Sequence, residues 1–539
     1  MKPIKGGAFG CRPFVRCITF NSGVRIVNTI DSIVVVGGGT AGWLTAGRLA
    51  VEQRSRHPGR PVDVTLVESP NVPIVGVGEG TWPTMRATLK RLEISETEFI
   101  RECDATFKQG AKFAKWSKNC DDDFYYHPLM IPQGFPNTDL ATHWLTNGGD
   151  DSFSNAVCFQ EQLCENGVAP KTISTPEYTS VANYAYHLDA GKFAQYLQKH
   201  CTESLGVTHL LADVAAVKNS DDGDIHALVT AQAGEVMGDL FVDCTGFSAL
   251  LIGQHYAVPF RDCSSVLQID RALATHVAYP ADDSPIACHT ISTGQSAGWV
   301  WDIGLRHRRG VGYVYSSEHI SDDQAEHELR AYIGGDKIIS EPRRIDIKSG
   351  HREHFWYRNC VAVGLSAGFL EPLEASAIVL VELSANMIAE QLPTTRSTMD
   401  IVAKRFNSTF LYRWQRIIDF LKLHYLLSKR DEPFWRSMTD CNSIPESLAE
   451  QLELWRYQVP CDHDFDSNNE VFPAASYQYV LYGMGFNIDA QNHRRSPMTA
   501  SHAAQEYLRN AQITQQALSK LPSHRELINK IHDYGMQTI

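Results

Sequence analysis

The residues best suited to hold a charged ligand lie near the start of the chain, at Gly37-x-Gly39-x-x-Gly42. An apolar run over 33–36 leads into this turn, and 44–51 reads as the helix that leaves it. Glycine at the first position permits the tight turn. At the second it lets a pyrophosphate approach the backbone, and at the third it lets helix and strand pack closely. N–H groups at the helix start, from Thr40 and Ala41 onward, would face the phosphates. A second apolar run over 62–67 ends in Glu68 and Ser69, and a carboxylate at that point can hold an adenosine ribose. A glycine turn alone is a weak signal and is often merely structural; the flanking strand, helix and acid make this one a dinucleotide site. Gly76, Gly78 and Gly80, around Glu79, form a second loop whose backbone can lie close to a ligand.

The rest of the chain must position that turn. Its 539 residues exceed one simple core and imply two or three closely packed units. A net charge of −13 and the lack of a basic stripe exclude nucleic acid as a partner. The 13 cysteines are odd in number and scattered, with no CxxC or HExxH, which reads as reduced thiols in a cytoplasmic protein without a metal site. No apolar run is long enough to span a membrane. Residues 1–30 carry Lys2, Lys5, Arg12, Arg16 and Arg25, no acid and no continuous apolar stretch, so they read as a flexible leader and not a signal peptide.

Taken in order, 84–92 reads as a helix. Ser95-Glu96-Thr97-Glu98 opens another that runs on through Lys108 towards Trp116. On position alone Lys108 is a solvated charge. Residues 117–180 are irregular, the kind of loop-rich insertion that shapes a substrate cavity. A helix over 190–205 ends at Gly206. Strands follow over 207–217, 225–231 and 238–246, the last returning to the dinucleotide edge. Residues 268–317 alternate as a half-buried antiparallel pair with Trp299 and Trp301 on one face. A strand over 360–368 enters a helix over 379–392, a second strand-to-helix start. Beyond Thr395 helices dominate, over 399–427, 447–457, 475–483 and 498–521. The fold class is therefore α/β followed by α. A Rossmann-like module with a mixed sheet occupies 31–394, and a helical module over 395–539 packs against it.

Several blocks occur in an order that resembles the flavin-dependent halogenases of the tryptophan-halogenase family. They are Gly37-Gly38-Gly39-Thr40-Ala41-Gly42-Trp43, Gly76-Val77-Gly78-Glu79-Gly80-Thr81, Arg101 to Lys108, Asn183 to Asp189, Trp299-x-Trp301-x-Ile303, Glu371-Pro372-Leu373-Glu374 and Asp431 to Trp435. The resemblance implies a flavoprotein-monooxygenase-like FAD module. It also implies an oxidoreductase that uses FADH2 from a separate flavin reductase, O2, and chloride or bromide. A flavin C4a-hydroperoxide would yield hypohalous acid, which travels to Lys108 beside an aromatic small-molecule substrate. Glu374 would stabilise the arenium cation and take its proton. Ser376 and Ala377 match the halide site. Gly37, Gly39, Thr40, Ala41, Gly42, Glu68, Ser69, Gly78, Glu79, Val214, Leu365 and Ile378 match flavin-contact positions. Gly76 to Thr81 matches a mobile strap, and Trp299 and Trp301 a wall between flavin and substrate.

The sequence departs from the family in its motifs. Gly304 stands for the proline of the Trp motif, and Ala375, Ser376 and Ala377 stand for a serine, a threonine and a glycine. The tyrosine-rich segment that holds free tryptophan has no clear match within 460–479, which makes an indole or phenol the expected substrate over free tryptophan. The alternatives are a flavin monooxygenase that hydroxylates an arene, and a flavin-binding protein without turnover. The sequence leaves the oligomeric state open, a homodimer included.

Overall fold

The computed structural model describes residues 29–56, 62–72, 78–147, 151–467, 469–489 and 500–538. The leader expected over 1–30 lies outside them but for its last two residues, as do Gly76 and Val77 of the strap.

The apolar strand Ser32–Val36 sits between Asp63–Glu68 and Leu240–Asp243 in a six-stranded sheet. Thr208–Leu211 and Cys360–Ala362 extend it in parallel, and Trp356–Tyr357 closes one edge as an antiparallel hairpin. Parallel strands of this kind are covered on both faces, which accounts for the unbroken Ile-Val-Val-Val run. The helix Thr40–Arg56 starts at the turn, earlier than its apolar pattern suggests. Gly37 has φ +117°, and a Cβ there would stand 2.2 Å from the Cys244 carbonyl oxygen. At Gly42 a Cβ would stand 1.8 Å from the Gly37 oxygen, so this residue fixes how closely helix and strand pack.

A second sheet of seven strands carries Phe124–Pro128, Gly110–Ala114, Thr290–Gln295, Gly298–Gly304 and Arg308–Tyr315 in adjacent positions. The antiparallel pair expected within 268–317 is present, but Gly298–Gly304 is buried along its whole length and on both faces. The reason is a helix, Asp322–Ile333, whose Ala325, Leu329 and Ile333 pack on Val300, Val311 and Tyr313. Trp299 and Trp301 point the other way, into the main core.

The helix expected to run through Lys108 is overturned. It spans only Glu96–Glu102, opened by Ser95 accepting from Glu98 N–H. Asp104 then takes φ +48°, which no helix tolerates. Thr106–Lys108 becomes a strand paired with Ala185–Asp189, whose other neighbour is Gly78–Gly80. β-Branched and aromatic residues favour that outcome over helix.

Helices Arg396–Leu426, Glu446–Trp455, Ala474–Gly483 and Ala500–Lys520 follow, and a further one, His524–Tyr534, closes the chain. They share one continuous hydrophobic core with the first sheet, from Ile33 to Ile531. Among the described residues no helix is long and apolar enough to cross a membrane.

The glycine turn yields a stability test. Gly42→Ala forces a backbone clash and lowers stability by about 1–3 kcal/mol, as overpacking does. Gly39→Ala meets nothing within 4 Å and leaves stability within about 0.5 kcal/mol of the parent. Thermal melts of the two variants read the difference.

Candidate active site

One cavity of about 1060 Å³ runs from the glycine turn to Glu374. Gly37, Gly39, Thr40, Ala41, Glu68, Ser69 and Val214 line one end, with Leu365 and Ile378 beside them. Gly78 and Glu79 line it, as do Trp299 and Trp301, then Ser376 and Ala377, and finally Lys108 and Glu374. Of the expected flavin, halide, wall and catalytic positions, only Gly42 does not line it, consistent with its packing role.

The turn has the shape a dinucleotide needs. A side chain at Gly39 would project into empty space, so the backbone there is open to a bulky ligand. Glu68 ends its strand beside Gly38 and is steadied by His209 Nε2 at 2.9 Å. Farther along, the helix Ser376–Glu390 begins without a side-chain cap. Its first backbone N–H groups, at Ser376 and Ala377, are where an anion is stabilised by the helix start. These residues fit a flavin dinucleotide and a halide.

Lys108 is not solvated: it is 2% exposed. Its Nζ lies 3.4 Å from the Thr81 carbonyl, and burial pushes its pKa down to about 8 against the pull of Glu374. The strand that carries Glu79 lies against it, since a Cβ on Gly80 would stand 3.4 Å from both Lys108 Nζ and Ala375 Cβ. Burial also raises Glu79 to about 7.

Glu374 occupies strained backbone. It has φ +65° and the next residue, Ala375, φ +55°. Consecutive left-handed non-glycine residues cost of order 1–3 kcal/mol each and persist only where neighbours hold them. Trp82 Nε1 donates to the Glu374 carbonyl at 2.6 Å, and Ala375 N–H donates to Pro372 O at 2.9 Å. The carboxylate in turn lies 2.7 Å from His127 Nδ1, and His127 Nε2 lies 2.9 Å from Ser476 Oγ. His424 Nε2 stands 3.4 Å from the same carboxylate oxygen, and Tyr125 Oη lies 2.6 Å from His424 Nδ1. Burial would raise the Glu374 carboxyl. His127 and Lys108 outweigh it and hold the group below its ordinary range. Burial pushes His424 down to about 3, so it is neutral.

The Trp motif is held from behind. Trp299 Nε1 donates to Glu371 Oε2 at 3.0 Å, and Tyr425 Oη donates to the same oxygen at 2.6 Å. Burial lifts Glu371 to about 7.

His127, His424 and Ser476 were not legible as site residues in the sequence. They come from the strand Phe124–Pro128 and two C-terminal helices, far apart in the chain, and no spacing links them. Among the described residues of 117–180 none lines the main cavity, and that region reaches the site through His127.

A family model described as tryptophan halogenase matches residues 32–500. Tryptophan 6-halogenase SttH of Streptomyces toxytricini is 34% identical over 480 residues, 84% of this chain and 89% of that protein. A solved tryptophan halogenase from Shewanella frigidimarina is 47% identical with a TM-score of 0.91, covering 95% of this chain and 99% of the other. BrvH, a flavin-dependent halogenase from Brevundimonas sp. BAL3, is 34% identical with a TM-score of 0.81, covering 93% and 99%.

The depressed Lys108 has a measurable signature. Below pH 8 the folded chain holds a buried ammonium that the unfolded chain keeps in water. Between about 8 and 10.5 only the unfolded chain retains the proton, so stability rises with pH across that window. Lys108→Met therefore stabilises the protein at pH 7 by up to about 3 kcal/mol, and the gain shrinks towards pH 10. Denaturant melts at the two pH values read it; equal stability of parent and variant at both would mean that Lys108 is not desolvated.

Proposed function

This chain belongs to the tryptophan halogenase family, and we propose on that footing that it halogenates an electron-rich arene, an indole or a phenol, with Lys108 and Glu374 as its catalytic residues. The observation that carries the reading is the placement of Lys108 and Glu374 in one cavity with the glycine turn.

Reduced FAD, with O2 and chloride or bromide, supplies hypohalous acid when bound. The glycine turn, Glu68, Ser69, Val214, Leu365 and Ile378 would hold it, and Ser376 and Ala377 the halide. The chain's own residues do the rest. Trp299, fixed through Glu371, and Trp301 wall the passage and exclude water.

At a pKa of about 8, Lys108 is mostly ammonium at neutral pH with an accessible amine fraction. As ammonium it hydrogen-bonds the hypohalous oxygen and makes the halogen electrophilic. The arene attacks the halogen, the oxygen–halogen bond breaks, and the oxygen leaves as water with a proton from Lys108. The ring is then a cation. Glu374, ionised by its neighbours, stabilises that charge and accepts the ring proton. His127 Nδ1, at 2.7 Å, donates to that carboxylate, and the proton Glu374 gains passes back to Lys108, which restores both groups. The net change is Ar–H plus HOX to Ar–X plus water.

Aromatic side chains pack behind Glu374, outside the residues that line the cavity. Trp82, Phe420 and Tyr479 have ring centroids within 6.1 Å of His127, and Phe472 packs on Trp82 at 5.1 Å. A separate flavin reductase is the proposed source of FADH2.

The test uses a flavin reductase, NADH, FAD, bromide and a panel of indoles and phenols, read by mass spectrometry. The parent forms a brominated product. Lys108→Ala abolishes it while binding FAD as the parent does, and Glu374→Gln lowers kcat by about 10²–10⁴-fold. Full activity in Lys108→Ala would overturn the assignment.

A further inference from the structure

Behind the strand that carries Lys108, three buried side chains meet that no sequence spacing brings together. Cys164 ends the short helix Gln160–Glu165, while Cys288 and His289 immediately precede the strand Thr290–Gln295. A ligand atom from each lies within 4.8 Å of the others. Their exposures are 3%, 0% and 6%.

The histidine carries a second, independent sign. Its Nδ1 is buried and makes no hydrogen bond. Its Nε2 lies 3.4 Å from Tyr126 Oη, and Tyr126 Oη donates to Glu165. A metal-ligating histidine characteristically offers one nitrogen to the ion and steadies the other through a hydroxyl or carboxylate. A disulfide between the two cysteines would leave Nδ1 unsatisfied, whereas a cation satisfies it. A small cavity of about 430 Å³ adjoins the cluster, lined by Glu165, Lys112 and Asp121 as well as Cys164 and His289. It has room for a water as fourth ligand.

We propose that Cys164, Cys288 and His289 form a binding site for one Zn2+ ion. Two sulfurs and one imidazole nitrogen with an open fourth position suit zinc's tetrahedral preference. Binding converts both thiols to thiolates, which balance the ion's charge, and releases their two protons. The site would have a mechanical effect. The Cys288 carbonyl accepts from the Gln109 N–H at 2.7 Å, next to Lys108, and Thr290 pairs with Ala111. Zinc would tie the helix bearing Cys164 to the strands that seat Lys108. This inference stands apart from the halogenation reading.

The experiment takes the full chain, reduced and stripped with a chelator, and titrates it with Zn2+ and then Co2+. Metal per chain is measured after gel filtration. The site predicts one retained Zn2+ and, with Co2+, thiolate-to-cobalt charge-transfer absorption. Cys288→Ser and His289→Gln weaken zinc binding by more than about 100-fold, and Tyr126→Phe by about 10–100-fold. Cys441→Ser, at an exposed cysteine, changes nothing. The proposal falls if the parent shows no charge-transfer band, if Cys288→Ser and His289→Gln retain zinc as the parent does, or if freshly isolated protein holds a Cys164–Cys288 disulfide. The cobalt spectrum of the parent decides the matter even where a variant fails to fold.

Discussion

Lys108 and Glu374 are both buried, at 2% and 7% exposure, and each ion costs free energy in that setting unless opposite charge stands near. Each is the other's partial compensation. Burial lowers the lysine to about 8 while Glu374 holds it up. His127 and Lys108 in turn keep the carboxyl ionised. The surroundings serve this pair. Trp82 and Pro372 fix the left-handed turn that aims Glu374, and the Thr81 carbonyl meets the lysine. A solvated lysine would be fully protonated and less discriminating; a dry one can both polarise an oxidant and shield it from water.

The same cavity serves two ends. Gly39 gives a backbone open to a bulky ligand, and the helix Ser376–Glu390 starts without a side-chain cap on the same cavity, two residues after Glu374. Trp299 and Trp301 line the passage on a strand buried on both faces. A chain that makes a diffusible oxidant needs such a division, because the oxidant must reach the arene without meeting bulk water.

The dinucleotide end was legible because it is local. The turn, its strand and its helix are contiguous, and each glycine answers to a contact of a few residues. The substrate end was legible only through family resemblance. Composition and position made Lys108 a surface charge on a helix. What reversed this was Asp104 at φ +48° and pairing with Ala185–Asp189, a partner 77 positions away from Lys108 at the register Lys108 to Ala185. The same holds for the strand that carries the Trp pair, whose other face is covered by Asp322–Ile333. His127 and His424 converge on Glu374 from separate elements and Ser476 backs His127 from a third, and the pattern along each element reads only as core. Ala375, at φ +55°, holds a conformation that glycine or asparagine would adopt more readily.

The central claim is that the oxidant made at the flavin end is spent as halogen on the arene, and the product's mass tests it most directly. With reduced flavin, O2 and an indole or phenol, turnover in bromide gives a product in which bromine replaces hydrogen, and turnover without halide gives none. A hydroxylated product that forms equally with and without bromide would contradict the account and make the chain a monooxygenase.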